Sequence, residues 1–67
     1  MQDATRFHVG DRVRLIEMDD PYHKNIPIGV TGTVTGVTPP PINVLNVRWD
    51  DGFALNPCLD VDRVARA

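Results

Sequence analysis

The chain has 67 residues, a length that allows one domain with a small core and leaves little room for an enclosed ligand cavity. Its formal net charge of −2 lacks the positive surplus that a general binder of polyanions needs. A single cysteine excludes an internal disulfide and favours a reducing compartment, and no apolar run is long enough to span a membrane. We therefore expect a cytoplasmic protein whose function lies on its surface.

The first predicted strand follows an N-terminal stretch that has no clear pattern. Residues 1–8 show no apolar period, so we expect a flexible segment ahead of one domain over residues 9–67. Polar and apolar residues alternate over residues 12–16. This alternation predicts a half-buried strand with Val13 and Leu15 facing the core.

A long polar loop is predicted from Met18 to Pro27, between the first and second strands. Pro21 and Pro27 disfavour both a helix and a paired central strand in this region. The second strand is expected over residues 30–37, which are rich in β-branched residues. Its glycines suit the bends that close a small barrel.

Three consecutive prolines, Pro39–Pro41, end the second strand and form a stiff connector, which we interpret as a spacer. The third strand is predicted over residues 44–49. Its alternation places Leu45, Val47 and Trp49 on one face.

An Asp-Gly turn at residues 50–52 predicts a hairpin that leads into a fourth strand over residues 53–55. Asn56 and Pro57 end that strand, and residues 59–64 fit a one-turn helical corner followed by a short closing strand. The sequence thus predicts an all-β fold of four to five short antiparallel strands, with at most a one-turn helix near the C-terminus. At this length a barrel is favoured, because closure removes exposed strand edges.

The segments VGDRVRLI, GVTGTVTGV and VRWDDG resemble the strands of SH3-like barrels, including those associated with translation and transcription. More closely, the pattern MDDPY … GTVTGV … V-x-W-D-x-G is similar to a family of small bacterial and phage proteins that is catalogued only as a domain of unknown function. The similarity covers residues 9–55. It departs from the expected pattern at Pro39–Pro41, which replace a short turn containing Gly or Asp. The resemblance implies a small SH3-like barrel and implies no activity.

The leading functional hypothesis is a non-catalytic module that binds a protein partner. The resemblance implies a groove between the first long loop and the third-to-fourth strand hairpin, and aromatic residues often anchor interfaces. For Trp49 and Tyr22 the alternative is packing in the core, and for Asp19 and Asp20 it is capping of a turn. The residues predicted to contact the partner are Asp19, Asp20, Tyr22, Trp49, Asp50 and Phe53.

A second hypothesis is association with nucleic acid through a stripe of Arg12, Arg14 and Arg48 on adjacent strands. The alternative is a solvated face whose arginines pair with neighbours such as Asp11 or Glu17. A third hypothesis is a structural accessory subunit of a phage or mobile-element assembly that pairs through a free strand edge. The oligomeric state is left open.

Metal binding and catalysis have little support in the sequence. His8, His23 and Cys58 are the only soft ligands and lack paired spacing. The chain has no serine, and Asp50 and Asp51 are adjacent on a turn, where they cannot face each other across a substrate. We therefore expect no enzyme activity, no metal and no cofactor.

Overall fold

The computed structural model describes residues 2–18 and 27–67. Within these ranges, one 3-10 turn spans Ala4–Arg6 and is followed by four strands: β1 (Arg12–Glu17), β2 (Thr31–Thr38), β3 (Val44–Trp49) and β4 (Arg63–Arg66). All pairs are antiparallel, and the sheet order is β3-β2-β1-β4. The all-β class and the four strands agree with the sequence prediction. In these two ranges no helix has the length and apolar character needed to cross a membrane.

The core lies on one side of this sheet, where buried residues of the four strands point inward. β3 alternates along its whole length, and β1 alternates as far as the register shift between Leu15 and Glu17. Residues before β1 and between β3 and β4 complete the cluster. Its buried members are Ala4, Phe7, Val13, Leu15, Val34, Leu45, Val47, Trp49, Leu59 and Val64.

The sheet is open, whereas the sequence predicts a closed barrel. Its two edge strands are β3 and β4, and the chain between them first runs along the edge of β3. Leu45 N–H donates to Pro57 O at 3.0 Å, and Leu59 N–H donates to Asn43 O at 2.8 Å. The segment that precedes β4 therefore covers the β3 edge. Hydrogen bonds of this segment, and not a β3–β4 strand pair, line that edge of the sheet.

The predicted strand over residues 53–55 does not form. Side chains take the hydrogen bonds that a strand would use: the Trp49 indole N–H donates to Leu55 O at 2.7 Å, and Val47 N–H donates to Asn56 Oδ1 at 3.0 Å. The tight turn itself is present, because Gly52 N–H donates to Trp49 O and Gly52 has a φ of +82°. Residues 53–56 consequently return beside β3 as irregular chain.

The N-terminal segment differs from the flexible one predicted over residues 1–8. Ala4 and Phe7 are buried in the core, and the helical turn lies here instead of near the C-terminus. Asn43 holds this segment in place, because its Oδ1 accepts from Ala4 N–H at 2.7 Å and its Nδ2 donates to Gln2 O at 2.7 Å. These contacts join residues about forty positions apart, so no local period signals them.

Candidate functional site

Some residues of the predicted partner groove lie inside the described ranges and some lie outside them. Asp19, Asp20 and Tyr22 lie outside them, within the connection between Met18 and Pro27. Phe53 is half-buried and packs against the core. The structure thus places three of the six predicted contact residues: Phe53, Trp49 and Asp50. The last two have contrasting surroundings.

Trp49 packs in the core, which is the alternative that the sequence left open, and does not form a wall of an exposed groove. Its exposed fraction is 2 %, and it continues the inward row of Leu45 and Val47. It lies opposite Gly32, where an added Cβ would approach the indole Cε3 to 2.8 Å. The ring therefore needs a glycine opposite it, and its N–H is satisfied by Leu55 O.

Asp50 lies at the end of β3 and pairs with Arg12 of β1 across the intervening strand. Arg12 Nη1 donates to Asp50 Oδ1 at 2.9 Å, and Nη2 donates to Oδ2 at 2.5 Å. Two β2 hydroxyls complete the cluster: Thr33 Oγ1 accepts from Arg12 at 2.9 Å, and Thr31 Oγ1 donates to Asp50 at 2.7 Å. The two-point geometry fixes both side chains on the exposed face of the sheet.

This pairing changes the protonation of both groups. The hydrogen bonds from Arg12 and then from Thr31 hold the pKa of Asp50 well below its usual range. The same contact raises the pKa of Arg12. Asp50 is therefore an anion at any physiological pH, and its charge is offset by the guanidinium it contacts.

The three arginines of the predicted stripe all lie on the exposed face. Arg12 and Arg48 are each register partners of Thr33, from the two sides of β2. Arg14 pairs with Thr31, and its Nη1 donates to Gly29 O at 2.8 Å. Asp11, one of the two partners predicted for these arginines, instead approaches Arg66 at 3.5 Å and His8 at 3.9 Å.

Sequence reasoning missed the Arg12–Asp50 pair because the two residues are 38 positions apart, and β1 and β3 are not neighbours in the sheet. The sequence contains one weak indication of this pair. An acidic residue directly follows the third predicted strand, and it lies on the same face as the outward residues of the first. Only the register of β1, β2 and β3 brings them together.

An open depression of about 440 Å³ lies on the same face, next to this pair. Arg48 is exposed at its side, and no hydrogen bond or ion pair joins the Arg48 side chain to any residue in the described ranges. The lining residues are Thr33, Thr35, Arg48, Trp49 and Asp50.

Two isoleucines are exposed where β1 ends and β2 begins, and sequence reasoning did not single them out. Ile16 is 44 % exposed and Ile28 is 54 % exposed. Leu15 holds the two segments together, because its N–H donates to Val30 O at 2.9 Å and its carbonyl accepts from Gly29 N–H at 2.8 Å. Asp50 N–H donates to Thr31 O, so the turn after β3 lies at the same end of the sheet.

Both sheet edges carry contacts that limit the addition of a partner strand. Gln2 bonds to both backbone groups of Val64 on β4. Asn56 Oδ1 and Pro57 O accept hydrogen bonds from two backbone N–H groups of β3. The structural-accessory hypothesis invoked pairing through a free strand edge, and these contacts occupy the middle of each edge.

One protein-family model matches the chain over almost its whole length. Residues 3–67 match a family whose description gives no function. No curated protein and no solved structure matches the chain. The match includes the N-terminal segment that packs into the core, and it agrees with the resemblance found in the strand motifs. Because it covers all but the first two residues, the chain belongs to the family described as Domain of unknown function (DUF4314).

Proposed function

We propose that the chain is a non-catalytic module that binds a protein partner at one end of its sheet. This end, called here the loop end, consists of Ile16–Met18, Pro27–Val30 and the turn at residues 50–52. The observation that carries the proposal is the exposure of Ile16 and Ile28 at the end of the sheet where this turn also lies. Exposed apolar side chains with a charged rim are typical of protein interaction sites.

The rim of the loop end is held rigid before a partner arrives. Arg12 and Thr31 fix the Asp50 carboxylate, and Asp51 Oδ1 accepts from Phe53 N–H at 2.9 Å. Rigid polar groups lose little conformational entropy on binding, which favours specific association. An interface here would bury the isoleucines and leave the ordered carboxylates at its edge.

The original groove hypothesis is retained in part. Asp19, Asp20 and Tyr22 follow Met18 in the sequence and lie outside the described residues, so their contact with a partner stays a prediction. Trp49 and Phe53 pack in or against the core, and we assign them no direct contact with the partner. An SH3-like barrel remains the proposed fold assignment, supported by the pairing of β1 with the last strand and by the chain that covers the β3 edge.

The proposed setting is the cytoplasm, supported by the single cysteine. The bacterial and phage character of the proteins that the sequence resembles suggests a bacterial or phage context.

The test is affinity capture from native lysate with purified wild-type, Ile28→Ser and Ile42→Ser proteins as bait, with and without nuclease. Ile42 is the matched control, because it is 61 % exposed and precedes β3 at the opposite end of the β2–β3 pair. We expect a protein partner that survives nuclease, is lost with Ile28→Ser and is kept with Ile42→Ser. Equal loss with both variants contradicts the proposal, and capture that nuclease abolishes assigns the protein to nucleic acid instead.

A further inference from the structure

We infer that the protein partner presents an acidic segment, and that the depression beside Arg48 receives one of its carboxylates. This inference rests on the proposed function and specifies the chemistry of the partner. It concerns the exposed face of β1, β2 and β3, whereas the isoleucines lie at the loop end of the same sheet.

The geometry sets Arg48 apart from the other arginines of the face. The guanidinium of Arg12 is already held by Asp50 and two threonine hydroxyls. Arg14 donates to a backbone carbonyl. Arg48, by contrast, borders the depression without a partner in the described ranges, and its planar fork suits a carboxylate at two points.

The neighbouring hydroxyls support the same chemistry. Thr33 separates Arg12 from Arg48 in the cross-strand row, and adjacent strands are about 4.8 Å apart, so the two arginines are spaced by roughly 10 Å. Thr33 and Thr35 both line the depression. The Thr35 hydroxyl already donates to Asn46 O at 3.3 Å, so the Thr33 hydroxyl is the donor that a carboxylate seated on Arg48 would meet on its β2 side.

The distribution of charge over the protein favours a short acidic ligand over a long polyanion. Within residues 2–18 and 27–67, the ion pair formed by the arginines of the exposed face is that of Arg12 with Asp50, and it offsets the Asp50 charge. The chain as a whole nevertheless carries a net charge of −2, so the remaining surface is acidic. A long polyphosphate backbone would extend over that acidic surface and be repelled, whereas a short acidic protein segment can be confined to the arginine face.

The depression is continuous with the proposed loop-end surface. Asp50 borders the depression and also begins the turn of the loop end. One extended segment of a partner can therefore place an apolar residue near Ile28 and a carboxylate at Arg48.

The test is a titration of isotope-labelled full-length protein with a short oligoglutamate peptide, followed by amide chemical shifts. An oligoglutamine peptide of equal length controls for backbone binding. We expect shifts confined to the surroundings of Thr33, Thr35 and Arg48. Arg48→Gln should weaken the affinity roughly fivefold, in keeping with the loss of one exposed charged contact. Arg63→Gln on β4 removes one equivalent charge elsewhere and should leave the affinity unchanged.

Three results would overturn the inference: no shifts at millimolar peptide, equal weakening by Arg48→Gln and Arg63→Gln, or tighter binding of a single-stranded oligonucleotide of the same charge. The protein-binding proposal is judged separately by the Ile28→Ser capture, which does not alter Arg48. A captured partner with no oligoglutamate binding would thus refute only the acidic-segment inference.

Discussion

The side-chain amide of Gln2 hydrogen-bonds to both backbone groups of Val64, 62 positions away in the chain. Nε2 donates to Val64 O at 2.5 Å, and Val64 N–H donates to Oε1 at 2.9 Å. Val64 lies opposite Leu15, whose own backbone groups bond on the other side to Gly29 and Val30. The polar groups of Val64 therefore point to the free edge of β4, and Gln2 replaces a neighbouring strand there.

Replacing Gln2 with alanine should destabilise the edge of β4. Two part-buried hydrogen bonds are lost, so we expect the free energy of unfolding to fall by about 1–2 kcal/mol. Urea denaturation measures this change, and hydrogen exchange should show a faster Val64 amide. Gln2→Glu keeps an acceptor for that amide but loses the donor to Val64 O, so it should be intermediate. Unchanged exchange at Val64 in Gln2→Ala would mean that the cap contributes nothing.

Asn43 should be among the most sensitive positions. It is 1 % exposed, has a φ of +59° and hydrogen-bonds to Gln2, Ala4 and Asp60. Asn43→Gly tolerates the backbone conformation but loses these contacts, at a cost of about 2–4 kcal/mol. Asn43→Ala should lose about 1 kcal/mol more, because alanine is strained at positive φ.

Urea or thermal unfolding of the two Asn43 variants measures the difference. Equal stability of the alanine and glycine variants would show that the left-handed backbone makes no separate contribution.

Gly32 and Gly36 both lie in β2 but should respond differently to alanine. A Cβ at Gly32 would lie 2.8 Å from Arg48 O, from Trp49 Cε3 and from Val47 Cγ1, so the neighbouring strand must move. We expect Gly32→Ala to lower the unfolding free energy by about 1–3 kcal/mol or more. At Gly36 the nearest atom is Asn46 Nδ2 at 3.0 Å, at the end of a side chain that can turn away.

Gly36→Ala is therefore the matched control and should change stability by less than about 1 kcal/mol. The two melting curves are compared under identical conditions. A Gly36 variant as damaged as the Gly32 variant would contradict the packing of β3 against Gly32.

The Arg12–Asp50 pair should make stability depend on pH in the acid range. The pKa of Asp50 is lowered in the folded state, so the unfolded chain binds the proton more readily. The stabilisation is complete above the unfolded carboxyl pKa of about 4 and is lost as the pH falls through the folded pKa. Asp3, whose pKa is lowered by hydrogen bonds from Thr5, acts in the same direction.

Asp50→Asn should therefore flatten the fall in stability below about pH 4, measured by urea denaturation across the acid range. Asp51→Asn removes the adjacent carboxylate and leaves the Arg12 contact intact, so it serves as the control. Identical acid profiles for wild type and Asp50→Asn would show that the ion pair does not contribute to stability.

The alternation of apolar residues determined much of the fold. The predicted bounds of β3, residues 44–49, agree with the structure, and those of β1 and β2 differ by one residue at their ends. The outward placement of Arg12, Arg14 and Arg48 follows from the same period, because successive side chains of a strand point to opposite faces. These features depend on neighbours in the chain, which the sequence displays directly.

Contacts between distant residues decided the rest. The sequence could not choose between a core and a groove position for Trp49, because the choice depends on Gly32 lying opposite it. It predicted a flexible N-terminal segment, whereas Asn43 draws Ala4 into the core. Hydrogen bonds and packing act through space, so the partners of a side chain become definite only when strand register brings separate segments together.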